Sequence, residues 1–118
     1  SKNDLFNAMW NRRVYATTGE RIILEFKLNN HIMGDEVYFN NSNQKRVLKV
    51  SVEATAPIRS ITIVKNNKDW HTVKGRGLSE AFEITDKQPI GKSDYYYIRV
   101  IQEDENLAWS SPIWVSYN

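Results

Sequence analysis

From Val14 onward apolar residues return at every second position, and that period decides what the chain can become. Leu48, Val50, Val52 and Ala54 alternate with Lys49, Ser51 and Glu53; Ile22, Leu24, Phe26 and Leu28 alternate with Ile23, Glu25 and Lys27. Side chains two apart share one face of an extended strand, so each run describes a strand with one buried face. Similar short runs occur at 37–39, around Ile61 and Ile63, at 70–73, around Phe82 and Ile84, at 95–102 and at 113–117. Turn formers separate them: "NNHIMGDE", in which Asn29, Asn30 and Gly34 tolerate positive φ, then "NNSNQ", Pro57, "NNKDW", "KGRG" and "TDKQPIGKSD". Some seven to nine short strands at near-regular spacing predict a mainly β protein, an antiparallel β-sandwich.

Two details refine that expectation. Tyr96, Ile98 and Val100 share a strand face behind Ile90 and Asp94, the spacing of the tyrosine corner of immunoglobulin and fibronectin type III sandwiches, where the hydroxyl bonds upstream backbone and the ring packs the core. Ahead of the strands, "KNDLFNAMWNRR" has a different period. Leu5, Phe6, Met9 and Trp10 form one stripe of a short helix over 3–12, with Asn3 or Asp4 as its cap and Arg12 and Arg13 at the negative end of its dipole. A helix this short is marginal alone, so its stripe needs something to dock on. The expected organisation is a junction helix at 1–13 and one β-sandwich at 14–118.

Composition narrows the function classes. At 118 residues and 41% hydrophobic the chain can bury one core, and 12% aromatic content argues against disorder. Net charge is +2 with acidic and basic residues interspersed, so no nucleic-acid stripe is visible. The most basic stretch, Lys65, Lys68, Lys74 and Arg76, reads as a solvated hairpin. The absence of Cys removes disulfides, thiolate chemistry and cysteine zinc sites from this chain. No apolar run approaches the ~20 residues of a bilayer span. Composition fixes neither compartment nor oligomeric state.

Candidate chemistry is thin. His31, Asp35 and Glu36 are the nearest approach to a metal cluster, but with only one further histidine, His71, a converging set is not expected. "EDE" at 103–105 reads as a solvated hairpin tip before it reads as a carboxylate pair. Accordingly no catalytic residue, metal ligand or cofactor is assigned to this chain. Trp70, on a hairpin beside His71, and the outward pair Tyr95 and Tyr97 are the candidate ligand or interdomain surface.

Three stretches, "LFNAMWNRRVYATTGERI", "LNNHIMGDE" and "YYYIRVIQEDENLAWSSPIWV", taken in order and spacing, resemble the C-terminal region of large bacterial proteins with a polymerase-and-histidinol-phosphatase (PHP) type metal-dependent hydrolase domain. Asn30 stands where that pattern has glycine. The resemblance implies that a catalytic domain, holding the divalent metals, precedes this chain in the same polypeptide. None of that domain's His-x-His motifs occurs here, so no ligand carries over. In that setting Arg13, Tyr15, Thr17, Thr18 and Arg21 of "RRVYATTGERI" become candidates for an interdomain cleft. The leading expectation is therefore a non-catalytic accessory β-sandwich of a larger hydrolase or phosphoesterase. The alternative is an autonomous module binding carbohydrate or protein through its aromatic residues.

Overall fold

The computed structural model describes residues 15–17, 22–91 and 93–117. Eleven strands occur among them: β1 (Tyr15–Thr17), β2 (Ile23–Leu28), β3 (His31–Ile32), β4 (Glu36–Phe39), β5 (Arg46–Glu53), β6 (Ile58–Lys65), β7 (Lys68–Lys74), β8 (Ser79–Asp86), β9 (Asp94–Gln102), β10 (Leu107–Ser110) and β11 (Ile113–Tyr117). The described residues contain no helix; the expected helix over 3–12 lies outside them.

The strands form two sheets. The smaller runs β3-β2-β5-β8, antiparallel throughout. The larger is organised on β9, which pairs along one edge with β6 and along the other with β10 and then β11. β7 lies outside β6, while β1 and β4 pair with β10 and β11 respectively. The chain therefore has more strands than the seven to nine expected. The surplus comes from short edge pieces, which offer too few residues to show a period.

One edge is split. β10 and β11 are two halves of a path interrupted at Ser111 and Pro112, and the interruption changes the neighbour. Upstream of it β10 pairs with β1, Tyr15 opposite Ser110. At it the Pro112 carbonyl accepts the Gly34 N–H at 2.8 Å, and the Trp114 N–H donates to the Asp35 carbonyl at 3.0 Å. Beyond it β11 runs parallel to β4, which departs from the purely antiparallel expectation. Proline lacks the N–H that an uninterrupted ladder needs, so the exchange of partners falls where the ladder is already broken.

The inner faces of both sheets supply one hydrophobic cluster. Leu24, Phe26, Leu28, Leu48, Val50 and Val52 from the smaller sheet share it with Ile61, Ile63, Tyr96, Ile98, Val100, Ile113 and Val115 from the larger. The alternation read from β2 and β5 holds: Ile22, Leu24, Phe26 and Leu28 are buried while Ile23, Glu25 and Lys27 are exposed. Each such aliphatic side chain stabilises the fold by about 1.5–3 kcal/mol. β6 departs from simple alternation, since Ile61, Thr62, Ile63 and Val64 are all buried.

Two hairpins turn on asparagine pairs in the left-handed region, Asn29 and Asn30 (φ 47° and 73°) and Asn66 and Asn67 (φ 52° and 69°). Two-residue turns with positive φ at both positions match the twist of the flanking strands, and asparagine accepts that conformation more readily than most residues. Asn29 also fastens the turn to β5, its Oδ1 accepting the Val47 N–H at 2.7 Å.

Candidate interaction surface

Strand parity sorts the larger sheet into a buried face and an outer one. On β9, Asp94, Tyr96, Ile98, Val100 and Gln102 point inward, so Tyr95, Tyr97, Arg99 and Ile101 point outward and are half-buried. Cross-strand register places Trp114 opposite Tyr95 and Trp109 opposite Arg99. Tyr38 on β4 belongs to the same outer face, opposite Ser116. Tyr38, Trp109 and Trp114 are 67%, 41% and 42% exposed, large values for aromatic side chains. A band of aromatic rings thus crosses the outer face from β4 over β11 and β9 to β10.

Polar groups border it. Arg99 pairs with Asp69 at 3.0 Å, Thr62 and Thr72 share a hydrogen bond at 3.2 Å, and the Tyr38 hydroxyl donates to Glu36 at 3.3 Å. The rings of Tyr95 and Trp114 lie 4.9 Å apart and tilted by 43°. They touch each other and do not form a coplanar platform.

Trp70, the other aromatic candidate, turns inward. A bulge between β6 and β7 pairs Ile63 with His71 and Val64 with Asp69, leaving Trp70 as the extra residue. The shift of parity lets Trp70 and His71 both be half-buried, and Trp70 packs against the core with its ring 6.1 Å from that of Tyr96, edge to face. Tyr15 and Thr17 lie on β1 beside β10. Arg13, Thr18 and Arg21 fall outside the described residues. The structure thus places Tyr95 and Tyr97 together with Tyr38, Trp109 and Trp114, none of which the sequence reading assigned to the candidate surface. The signal was present: Trp114 lies between buried Ile113 and Val115, and parity alone sends it outward.

A second constellation lies inside, where the two sheets meet at one end. Arg46 stands opposite Asp86 across β5 and β8, and Lys65 stands opposite Tyr96 across β6 and β9. Arg46 Nη2 is 3.2 Å from Asp86 Oδ1, and both side chains are fully buried. Lys65 Nζ reaches Asp86 Oδ2 at 2.7 Å and lies 5.6 Å from the centroid of the Tyr96 ring. The Tyr96 hydroxyl donates to Asp86 Oδ2 at 2.5 Å and accepts from Arg46 Nε at 3.2 Å. Tyr96 is thus buried as expected, but its hydroxyl bonds a side-chain carboxylate and not upstream backbone. The guanidinium also donates to the Gln44 and Gln88 carbonyls, both at 2.5 Å.

Burial alone would raise the Asp86 pKa, but the bonds from Lys65, Tyr96 and the Gln88 N–H, with the charge of Arg46, together hold it below the ordinary carboxylate value. Burial, reinforced by the bond to Asp86, pushes the Tyr96 phenol far above its usual range. Every polar atom of this cluster has a partner, which marks it as a structural lock between the sheets. Its members sit at inward parity on strands that are otherwise apolar, the clue by which the sequence could have disclosed it.

The acidic candidates remain separate. His31 Nδ1 is 3.8 Å from Asp35 Oδ2, but Asp35 is already accepting the Ile32 N–H at 3.1 Å and Glu36 engages Tyr38. Among the described residues no group of three or more His, Cys, Asp or Glu converges as a metal site. In the 103–105 turn Asp104 accepts from Gln102 at 2.9 Å and from the Asn106 N–H at 3.1 Å, bonds that hold its pKa below the usual value. That carboxylate organises its own turn.

The whole chain aligns with much longer bacterial proteins. It is 33% identical, over 135 aligned positions, to an uncharacterized protein of Chlamydia muridarum. It is 34% identical to uncharacterized proteins of Chlamydia pneumoniae and Chlamydia trachomatis. In each case the alignment covers all of this chain and 21% of the relative. The chain thus spans about a fifth of the length of the relatives it matches. No protein-family model matches it, and no solved structure does. Among the described residues no helix is long and apolar enough to cross a membrane.

Proposed function

We propose that this chain is a non-catalytic accessory module of a larger polypeptide, a sandwich of immunoglobulin or fibronectin III type that packs within that polypeptide through the outer aromatic face of its larger sheet. The observation that carries the reading is that face. Tyr38, Trp109 and Trp114 expose apolar surface on one face of the sheet, which also carries the Arg99–Asp69 ion pair, the composition of a packing interface. Its pairing order, with a parallel β4/β11 edge and a central tyrosine-bearing strand, supports the immunoglobulin-like assignment. The resemblance in "ATTG" and in the closing "YYYIRV…WSSPIW" stretch supports placing the module C-terminal to a PHP-type hydrolase domain, where the divalent metals and phosphoester chemistry would reside.

The reading as a carbohydrate module is weaker, because stacking on a sugar chain favours rings presented in one plane and Tyr95 and Trp114 are tilted together. The test uses the long native polypeptide with and without the segment corresponding to residues 1–118. Metal-dependent phosphoesterase activity should reside in the remainder, while loss of the module should lower the yield of folded protein. Hydrolysis by the 118 residues alone, or saturable binding of polysaccharide to them abolished by Trp114→Ala, would overturn the assignment.

A further inference from the structure

We infer that two copies of this chain associate through the free edge of β8, antiparallel about a twofold axis at Phe82. The edge is remote from the aromatic face, and the inference stands apart from the module assignment.

Among the described strands β8 pairs with β5 alone, all eight of its residues in register and without a bulge. Its other edge presents a row of backbone N–H and C=O groups with no ladder partner among the described residues. The other end strands are short or protected. β1, β3 and β4 have three, two and four residues, while β7 is interrupted by its bulge and carries Lys68, Asp69 and Lys74. β8, "SEAFEITD", has no lysine, proline or glycine to blunt it. It also leaves apolar surface uncovered. Phe82 and Ile84 point inward yet are only half-buried, whereas Val50 and Leu48 directly opposite them on β5 are 2% and 0% exposed. One more strand beside β8 would cover both.

Register names the occupant. Residues directly opposite in an antiparallel pair share a face, so only two alignments of β8 with its own copy pair seven residues. One sets Glu83 against Glu83 of the second copy and Glu80 against Asp86 of the second copy, and like charges directly opposite repel. The other centres on Phe82, which meets its own counterpart, an aromatic pair on the axis. There Ala81 meets Glu83, Ser79 meets Thr85 and Glu80 meets Ile84, so no charge faces its like. Seven pairs supply about six to eight main-chain hydrogen bonds. The edge is thus complementary to itself.

Ala81 is exposed and points outward, so substituting it spares the core. In sedimentation equilibrium of the intact 118-residue protein, Ala81→Glu, which opposes Glu83 on both sides of the axis, should weaken the dimer by about tenfold, while Ala81→Lys should leave it as tight or tighter. Hydrogen exchange gives a second readout: the β8 amides directed away from β5 should exchange more slowly as protein concentration rises. A protein that stays monomeric at NMR concentrations overturns the inference, and so does a dimer weakened equally by the two variants. A dimer that ignores both and dissociates with Trp114→Asp would assign association to the aromatic face instead. A long native polypeptide that is monomeric with those amides protected would give the edge to a strand of its own, which also overturns the inference.

Discussion

Asp86→Asn is the sharpest probe of what holds the two sheets in register. The substitution keeps the shape of the side chain and removes its charge, leaving two cations facing a neutral amide. They respond differently. Lys65 is 11% exposed and can swing its ammonium into water, whereas Arg46 is completely buried, with its remaining donors committed to Tyr96, Gln44 and Gln88. Stranding a buried charge by removing its partner costs about 3–5 kcal/mol. At roughly 4 °C per kcal/mol for a domain of this size, the midpoint of thermal unfolding should fall by about 12–20 °C. Lys65→Met, which leaves Arg46 and Asp86 paired one to one, should cost only ~1 kcal/mol. Urea unfolding followed by tryptophan fluorescence compares the two variants. The pH dependence adds a second reading. The Asp86 pKa is lowered in the folded state, so its contribution is present above the unfolded carboxylate value near 4 and is lost as pH falls below it through the folded value. Wild-type stability should decline across that acid window more steeply than that of Asp86→Asn. If Lys65→Met proves as damaging as Asp86→Asn, or if Asp86→Asn costs under 1 kcal/mol, the idea of a charge-locked end to the core fails.

Further outcomes follow from individual residues. The raised Tyr96 pKa stabilises the fold below the unfolded phenol value near 10 and is lost as pH rises beyond it, so alkaline unfolding should be shallower in Tyr96→Phe than in the parent, whatever their difference at neutral pH. Asn30→Gly should raise stability by ~0.5 kcal/mol because Asn30 holds φ 73°, whereas Asn29→Ala should lower it by about 1–2 kcal/mol through loss of the bond to Val47; chemical denaturation measures both. Gly75→Ala would place a Cβ 2.1 Å from the Ile58 carbonyl oxygen and should cost about 1–3 kcal/mol, while Gly77→Ala meets nothing within 4 Å and should leave the thermal midpoint nearly unchanged.

The long strands were legible because half-burial imposes a period. β2 and β5 alternate as their sequences do, and both asparagine hairpins turn where the turn chemistry lies. What escaped had physical reasons. β3 has two residues and β4 four, too few to display alternation, and their partners are chosen by tertiary register. Thr62 and Val64 are buried at outward parity on β6, between β7 and β9, so that strand shows no alternation to read. Trp70 looked like surface because a bulge cannot be read from composition. The polar lock escaped because charge at inward parity makes sense only when its partners are known: Arg46 and Asp86 are far apart in sequence and directly opposite in the sheet. The aromatic density of 95–115 divides the same way, Tyr96 to the core and Tyr95, Tyr97, Trp109 and Trp114 to the outer face.

The split β10/β11 path also sets a timetable for biosynthesis. Among the described strands β1 pairs with β10 alone and β4 with β11 alone, so strands made early must wait for residues made late. Translation at about 5–20 residues per second separates Tyr15 from Ser110 by roughly 5–20 s. Over most of that interval β9, β10 and β11 have not yet been made, and the apolar inner side of β6 has no closed ladder to protect it. The nascent chain therefore passes through a period in which the smaller sheet can already assemble while the larger stays open to chaperones, or to the wrong strand.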